Sequence, residues 1–136
     1  MSGLVLKLGP KERVLVNGAV IENGDRRSKL SILTPNANIL RLRDAINPND
    51  ATTPVRKVCY VAQLILSGDA DPSEGRKQLL SGLNQLGHAL TDPESVKILS
   101  QAKEAFEVDE FYRGLKRLRA LLPVEEKLLR GARHLS

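Results

Sequence analysis

The sequence predicts an α+β fold: an N-terminal small antiparallel β-sheet or barrel of about five strands, followed by a C-terminal bundle of four to five helices. Three observations predict it. Asn17-Gly18 separates two short apolar runs, and Asn and Gly tolerate the positive φ that both central positions of a type I′ hairpin turn require. Apolar residues then recur with the period-2 spacing of half-buried strands up to about Arg43. Beyond that point, Thr53-Pro54, Asp71-Pro72 and Asp92-Pro93 each set a capping side chain before a proline, which is how helices start.

The first strand is read from Leu4, Leu6 and Leu8 alternating with Val5 and Lys7, and Gly9-Pro10 breaks it. The hairpin follows at Arg13–Val16 and Ala19–Glu22. With Asn17-Gly18 as its turn, Val16 faces Ala19, Leu15 faces Val20 and Val14 faces Ile21, so every cross-strand pair is apolar. A strict two-residue turn at Asn23-Gly24 would set Glu22 against Asp25, a like-charge pair. A longer loop is therefore expected there, with Asp25-Arg26-Arg27 on an exposed rim and the chain continuing as a meander. Ser28–Thr34 reads as the fourth strand, with Leu30 and Ile32 on one face. Ala37–Arg43 reads as the fifth, with Arg41 and Arg43 on its face.

Residues 47–53 form a linker between a β-rich module (1–46) and a helical module (54–136). Five short strands bury too little by themselves, so the two modules are expected to pack as a single unit. The first helix should run from Pro54 to about Ser67 and stop near Gly68. Val55, Val58, Cys59, Ala62 and Leu66 share a face that Val61 and Ile65 widen, an apolar surface broad enough for a central helix. The second helix is expected to bury Leu79, Leu83, Leu86 and Leu90, and the third Val96, Leu99, Ala102 and Phe106. Asp109 is expected to cap a fourth helix with Phe111, Leu115, Leu118 and Leu122 on its buried edge. Arg113, Lys116 and Arg117 then share the opposite side. Pro123 either kinks this helix or opens a fifth, which Glu125-Glu126 in a first turn would favour.

The composition narrows the function classes. One cysteine, Cys59, excludes an internal disulfide and a cysteine-based zinc cluster, and its apolar surroundings mark a buried thiol. The two histidines lack metal-ligand spacing, and no glycine-rich phosphate loop or nucleophile elbow is present. Carboxylates gather at helix starts, where capping accounts for them. The chain therefore reads as a non-enzyme without metal or cofactor. No signal peptide is expected, and no apolar run approaches the roughly 18–20 residues that span a bilayer. A soluble protein of a reducing cytoplasm is the resulting expectation.

The net charge of +5 is unevenly spread: +3 over residues 1–53, −3 over 54–110 and +5 over 111–136. Basic ends around an acidic middle suit a polyanion or an acidic protein surface. Aromatic ribonucleoprotein strands, KH-type loops and zinc fingers are missing. With four aromatic residues in the chain, any RNA contact must rest on arginine, through phosphates and guanidinium stacking.

The run Val14–Arg27 resembles the hallmark of the FlbT family. So do Ile39-Leu40-Arg41, Asp44, Ala51-Thr52-Thr53-Pro54 and Tyr60-Val61-Ala62-Gln63-Leu64, and finally Tyr112–Pro123. The resemblance spans nearly the whole chain, and the first run is its most specific part. It implies a post-transcriptional regulator of flagellum biogenesis that associates with the 5′ untranslated region of flagellin messenger RNA, lowers translation and promotes decay. It also implies a small partner, FlaF, and in some bacteria a positive role.

Two mechanisms follow. In one, the β-module binds leader RNA through Arg26, Arg27, Lys29, Arg41 and Arg43. In the other, the chain is an adaptor that grips flagellin or FlaF with its helices, Arg113, Lys116 and Arg117 forming the partner face. The resemblance favours RNA. A ribonuclease is disfavoured because no His, Lys and carboxylate constellation is visible.

Overall fold

A computed structural model describes residues 4–135. Its strands are β1 (Leu4–Leu8), β2 (Arg13–Val16), β3 (Ala19–Glu22), β4 (Ser28–Ile32) and β5 (Ile39–Arg41). They make two open antiparallel sheets, β1–β4 and β3–β2–β5. The hairpin register is the expected one, Val16 opposite Ala19, Leu15 opposite Val20 and Val14 opposite Ile21. Asn17 and Gly18 take φ of 47° and 87°, the left-handed pair that a type I′ turn needs.

The expected meander is not formed. β3 does not continue into β4; β4 folds back onto β1, pairing Leu4 with Ile32, Leu6 with Leu30 and Leu8 with Ser28. Asn23 explains the detour. Its Nδ2 donates to the carbonyls of Gly9 (2.7 Å) and Arg26 (2.9 Å), and its Oδ1 accepts from Ser28 Oγ at 2.7 Å. One amide side chain thus ties the loop after β3 to the end of β1. The longer loop expected at Asn23-Gly24 is present. β4 and β5 are shorter than expected, and Leu42–Asp44 is a 3-10 turn rather than strand.

Adjacent residues of a strand point to opposite faces, and β5 uses this to separate two cores. Ile39 joins Leu6, Leu8, Val14 and Ile32 between the two sheets. Leu40 joins the helical core around Val55, Ala62, Leu79, Phe106 and Leu118. Tyr112 packs against both clusters. The β3–β2–β5 sheet therefore lies between the β1–β4 ribbon and the helices.

The helices are α1 (Pro54–Leu66), α2 (Pro72–Ala89), α3 (Pro93–Glu107), α4 (Phe111–Leu118) and α5 (Leu122–Leu135). Thr53, Asp71 and Asp92 cap the first three by accepting from the backbone N–H of Arg56, Glu74 and Ser95. Such caps satisfy donors that a helix start otherwise leaves unpaired. A 3-10 turn, Arg119–Leu121, separates α4 from α5, and Pro123 lies in the first turn of the new helix. Glu125 of α5 is buried and clasps the start of α1. It accepts from Val55 N at 2.8 Å and from Thr53 Oγ1, its negative charge favoured at the positive end of the helix dipole.

Three expectations fail in the helices. Leu122, expected on the buried edge of the fourth helix, instead opens α5 half-buried, because the 3-10 turn rotates Leu121 into the core. Val96 is 51% exposed, and Ile98 takes the core position, because the buried stripe of α3 runs through Ser95, Ile98, Leu99, Ala102 and Phe106. Asp109 does not cap α4. It adopts φ of 59° and gives its carboxylate to Arg76 at 2.6 Å, while Glu110 holds the cap position without a side-chain bond.

Candidate nucleic-acid interface

The outer face of the β1–β4 ribbon is set by strand alternation. Leu6, Leu8 and Ile32 are buried against the hairpin sheet, so Val5 and Lys7 of β1 and Lys29 and Ser31 of β4 point outward and are exposed. The register puts Lys7 directly opposite Lys29. Like charges in that position repel and destabilise a ribbon. Neither ammonium has an ion-pair partner among the described residues, so nothing within the fold offsets the repulsion.

Arg26 and Arg27 lead directly into β4. Their side chains are exposed and likewise unpaired among the described residues, while the Arg26 carbonyl is held by Asn23. The neighbouring carboxylate, Asp25, is occupied by Lys11 at 3.0 Å. Lys7, Arg26, Arg27 and Lys29 thus form a strip of four uncompensated cations at the Leu8–Ser28 end of the ribbon. It can hold a row of phosphates: the guanidiniums as bidentate donors, the ammoniums as point charges.

Arg41, expected in this site, is committed elsewhere. Its Nε donates to Glu12 Oε2 at 2.7 Å, and its Nη2 to Glu12 Oε1 at 2.8 Å and to the Lys7 carbonyl at 2.6 Å. Both side chains are enclosed, 12% and 8% exposed. Glu12 also accepts from Gly9 N at 3.0 Å. The Arg41 guanidinium, with that backbone bond, holds the Glu12 carboxyl down at about 2 against the opposing effect of burial. Arg41 therefore locks β5 to the turn between β1 and β2 and carries the backbone beneath Lys7. Arg43 lies past the end of β5, half-exposed, loosely placed at 3.6 Å from Glu12 and 3.9 Å from Asp44.

The three cations expected to form a partner face, Arg113, Lys116 and Arg117, are exposed along α4, opposite buried Leu115 and Leu118. Arg113 is paired with Glu110 at 3.4 Å. Burial pushes the Cys59 thiol up to about 12, a proton affinity that disables it as a nucleophile. Among the described residues no cluster of three or more His, Cys, Asp or Glu could hold a metal, and no helix is long and apolar enough to cross a membrane. Phe106 and Phe111 are buried, so ring stacking on bases is left to half-buried Tyr60 and Tyr112.

Lys7 is the member of the strip that sequence reasoning missed. Its outward position was legible from the alternation of Leu6 and Leu8. Its apposition to Lys29 depends on β1 pairing with β4, a contact distant in sequence.

Residues 4–129 match the model of a family described as flagellar protein FlbT. A relative from Bradyrhizobium diazoefficiens, named a probable flagellum biosynthesis repressor protein FlbT 1, is 34% identical over 125 residues, covering 92% of this chain and 84% of its own. The flagellum biosynthesis repressor protein FlbT of Caulobacter vibrioides is 28% identical over 126 residues, 93% of this chain and 89% of that protein. A Mesorhizobium japonicum relative, also named a probable repressor of flagellum biosynthesis, is 29% identical over 128 residues, 94% and 86% of the two chains. No solved structure gives a significant match.

Proposed function

The chain belongs to the FlbT family, and from that premise we propose that it represses flagellum biosynthesis by binding the 5′ untranslated region of flagellin messenger RNA through the β1–β4 ribbon. The observation that carries the reading is the Lys7–Lys29 apposition with Arg26 and Arg27 beside it. A cross-strand pair of ammoniums costs stability in the free protein, and a bound phosphate chain removes that cost. Phosphates supply most of the affinity in such sites. Guanidinium planes can stack on splayed single-stranded bases, which suits a surface poor in aromatic rings. The bound leader is then closed to initiating ribosomes and left to decay. The protein's own residues act by binding alone; no bond is made or broken.

One substitution separates this role from a structural one by opposite signs. Lys7→Glu creates a cross-strand Glu–Lys pair and should raise stability by roughly 0.2–1 kcal/mol in a denaturant melt. The same variant should bind a flagellin leader RNA about tenfold more weakly, since one phosphate contact becomes a repulsion. Arg26→Gln with Arg27→Gln should also weaken binding, while shifting stability by no more than about 0.5 kcal/mol. Unchanged RNA affinity in both variants would refute the assignment. So would affinity lost only together with cooperative unfolding.

A further inference from the structure

A second set of uncompensated cations borders a cleft on the helical side. We propose that this cleft docks an acidic, aliphatic segment of a partner protein, at a site separate from the ribbon's cationic strip. The cleft, about 950 Å³, opens between α3–α4 and the end of the β-module that carries Leu4, Ile32 and the turn Thr34–Ala37. Its lining is mixed: Leu4, Ile32 and Ile39 from the strands and Ile98 and Phe111 from the helices make an apolar floor, and Thr34, Asn36 and Gln101 stand among the polar groups around it. Lys97 of α3 and Lys116 and Arg117 of α4 also line it. All three are exposed and hold no carboxylate among the described residues.

The carboxylates of the same cleft do not balance them. Asp109 is held by Arg76 at 2.6 Å and Glu110 by Arg113 at 3.4 Å. Glu94, in the first turn of α3, is the one lining carboxylate without a cation partner among the described residues. Three free cations against one free anion leave a positive rim beside an apolar floor.

That combination selects the occupant. A phosphate chain would have to set its charges against Leu4, Ile32 and Ile98, where they lose water without a partner, and Tyr112, the one lining ring with partial exposure, is wedged between the two cores and offers no free face to a base. Aliphatic side chains suit the floor, and carboxylates suit Lys97, Lys116 and Arg117, an arrangement of apolar anchor and charged rim typical of peptide docking. Charge complementarity across such a rim favours capture of an acidic segment over a neutral or basic one. Lys97 thus supplies the free charge that Arg113, tied to Glu110, does not.

The site lies at the Leu4–Ile32 end of the ribbon. Arg26 and Arg27 stand beyond the Leu8–Ser28 end, roughly 17 Å away for a five-residue strand. The proposal is therefore independent of the RNA reading, and the two surfaces can be tested apart.

The test is selection of random short displayed peptides on the full-length chain, followed by affinity measurement of the winners. The expected result is enrichment of Asp and Glu beside Leu, Ile or Val. Affinity should fall about tenfold or more in Lys97→Glu/Lys116→Glu/Arg117→Glu, and also in the milder Lys97→Gln/Lys116→Gln/Arg117→Gln should the reversal fail to fold. The ribbon variant Arg26→Gln/Arg27→Gln should bind the same peptides undiminished. Absence of selected peptides, peptides without acidic bias, or equal binding to the cleft variants would overturn the proposal. Displacement of the peptides by single-stranded RNA would equally overturn it, by making the cleft a nucleic-acid surface.

Discussion

Gly114→Ala should destabilise the protein by about 1–3 kcal/mol, although alanine is the better helix former by about 1 kcal/mol. A methyl group at Gly114 would overlap Phe106 Cε1 and sit 2.5 Å from Cδ1. Phe106 is fully buried, and its ring packs on Phe111 with centroids 6.3 Å apart and planes 29° from parallel. The ring has no space to yield, so α4 must lift from α3 or the aromatic pair must separate. Helix crossings this close rely on a residue without a side chain, and overpacked interiors lose stability as surely as cavities do. Gly131→Ala is the matching control. It lies on exposed α5 with nothing within 4 Å of an added Cβ, so propensity alone acts and the protein should gain up to about 1 kcal/mol. Thermal or denaturant melts of the two variants should move in opposite directions. A stabilised Gly114→Ala would mean that α3 and α4 do not meet as described.

Glu12→Ala should cost about 3 kcal/mol, the usual penalty for leaving one member of an enclosed ion pair without its partner. Arg41 would lose both of its bonds to the carboxylate, and Gly9 N its acceptor. The pH dependence gives an independent reading of the same contact. The Glu12 carboxyl falls from its ordinary 4.5 to about 2 in the folded protein, so the unfolded chain takes up its proton first on acidification. The stabilisation is complete above about 4.5 and is lost as pH falls toward about 2. Glu12→Gln should lack this component: its melting temperature should depend less on pH over that window than that of the native protein. Parallel acid titrations of the two would contradict the clamp.

Local chemistry made much of the fold legible. Asn17-Gly18 dictates both a turn and, through it, a register, so the hairpin could be paired residue by residue. Thr53-Pro54, Asp71-Pro72 and Asp92-Pro93 join a side-chain acceptor to a residue already fixed at helical φ, which locates three helix starts. What stayed hidden depends on contacts distant in sequence. The return of β4 to β1 follows from Asn23, whose amide reaches three partners at once, and an Asn-Gly pair reads locally as a turn. Arg41 looked like one of several strand cations, because nothing near it in sequence announces Glu12. Asp109 looked like a cap until Arg76, from α2, claimed it. The site was half legible for the same reason. Arg26, Arg27 and Lys29 could be placed together by proximity in the chain, whereas Lys7 needed the ribbon and the cleft needed the packing of α3 and α4 beside it.

Direct binding by the ribbon is read from a titration of the purified native chain's affinity for flagellin leader RNA against salt. Each phosphate of a single strand that the protein neutralises contributes a slope of roughly −0.7 in log affinity against log salt. With Lys7, Arg26, Arg27 and Lys29 engaged, the slope should be about −3. A protein that shows no salt-sensitive affinity for that RNA would contradict direct binding by the ribbon.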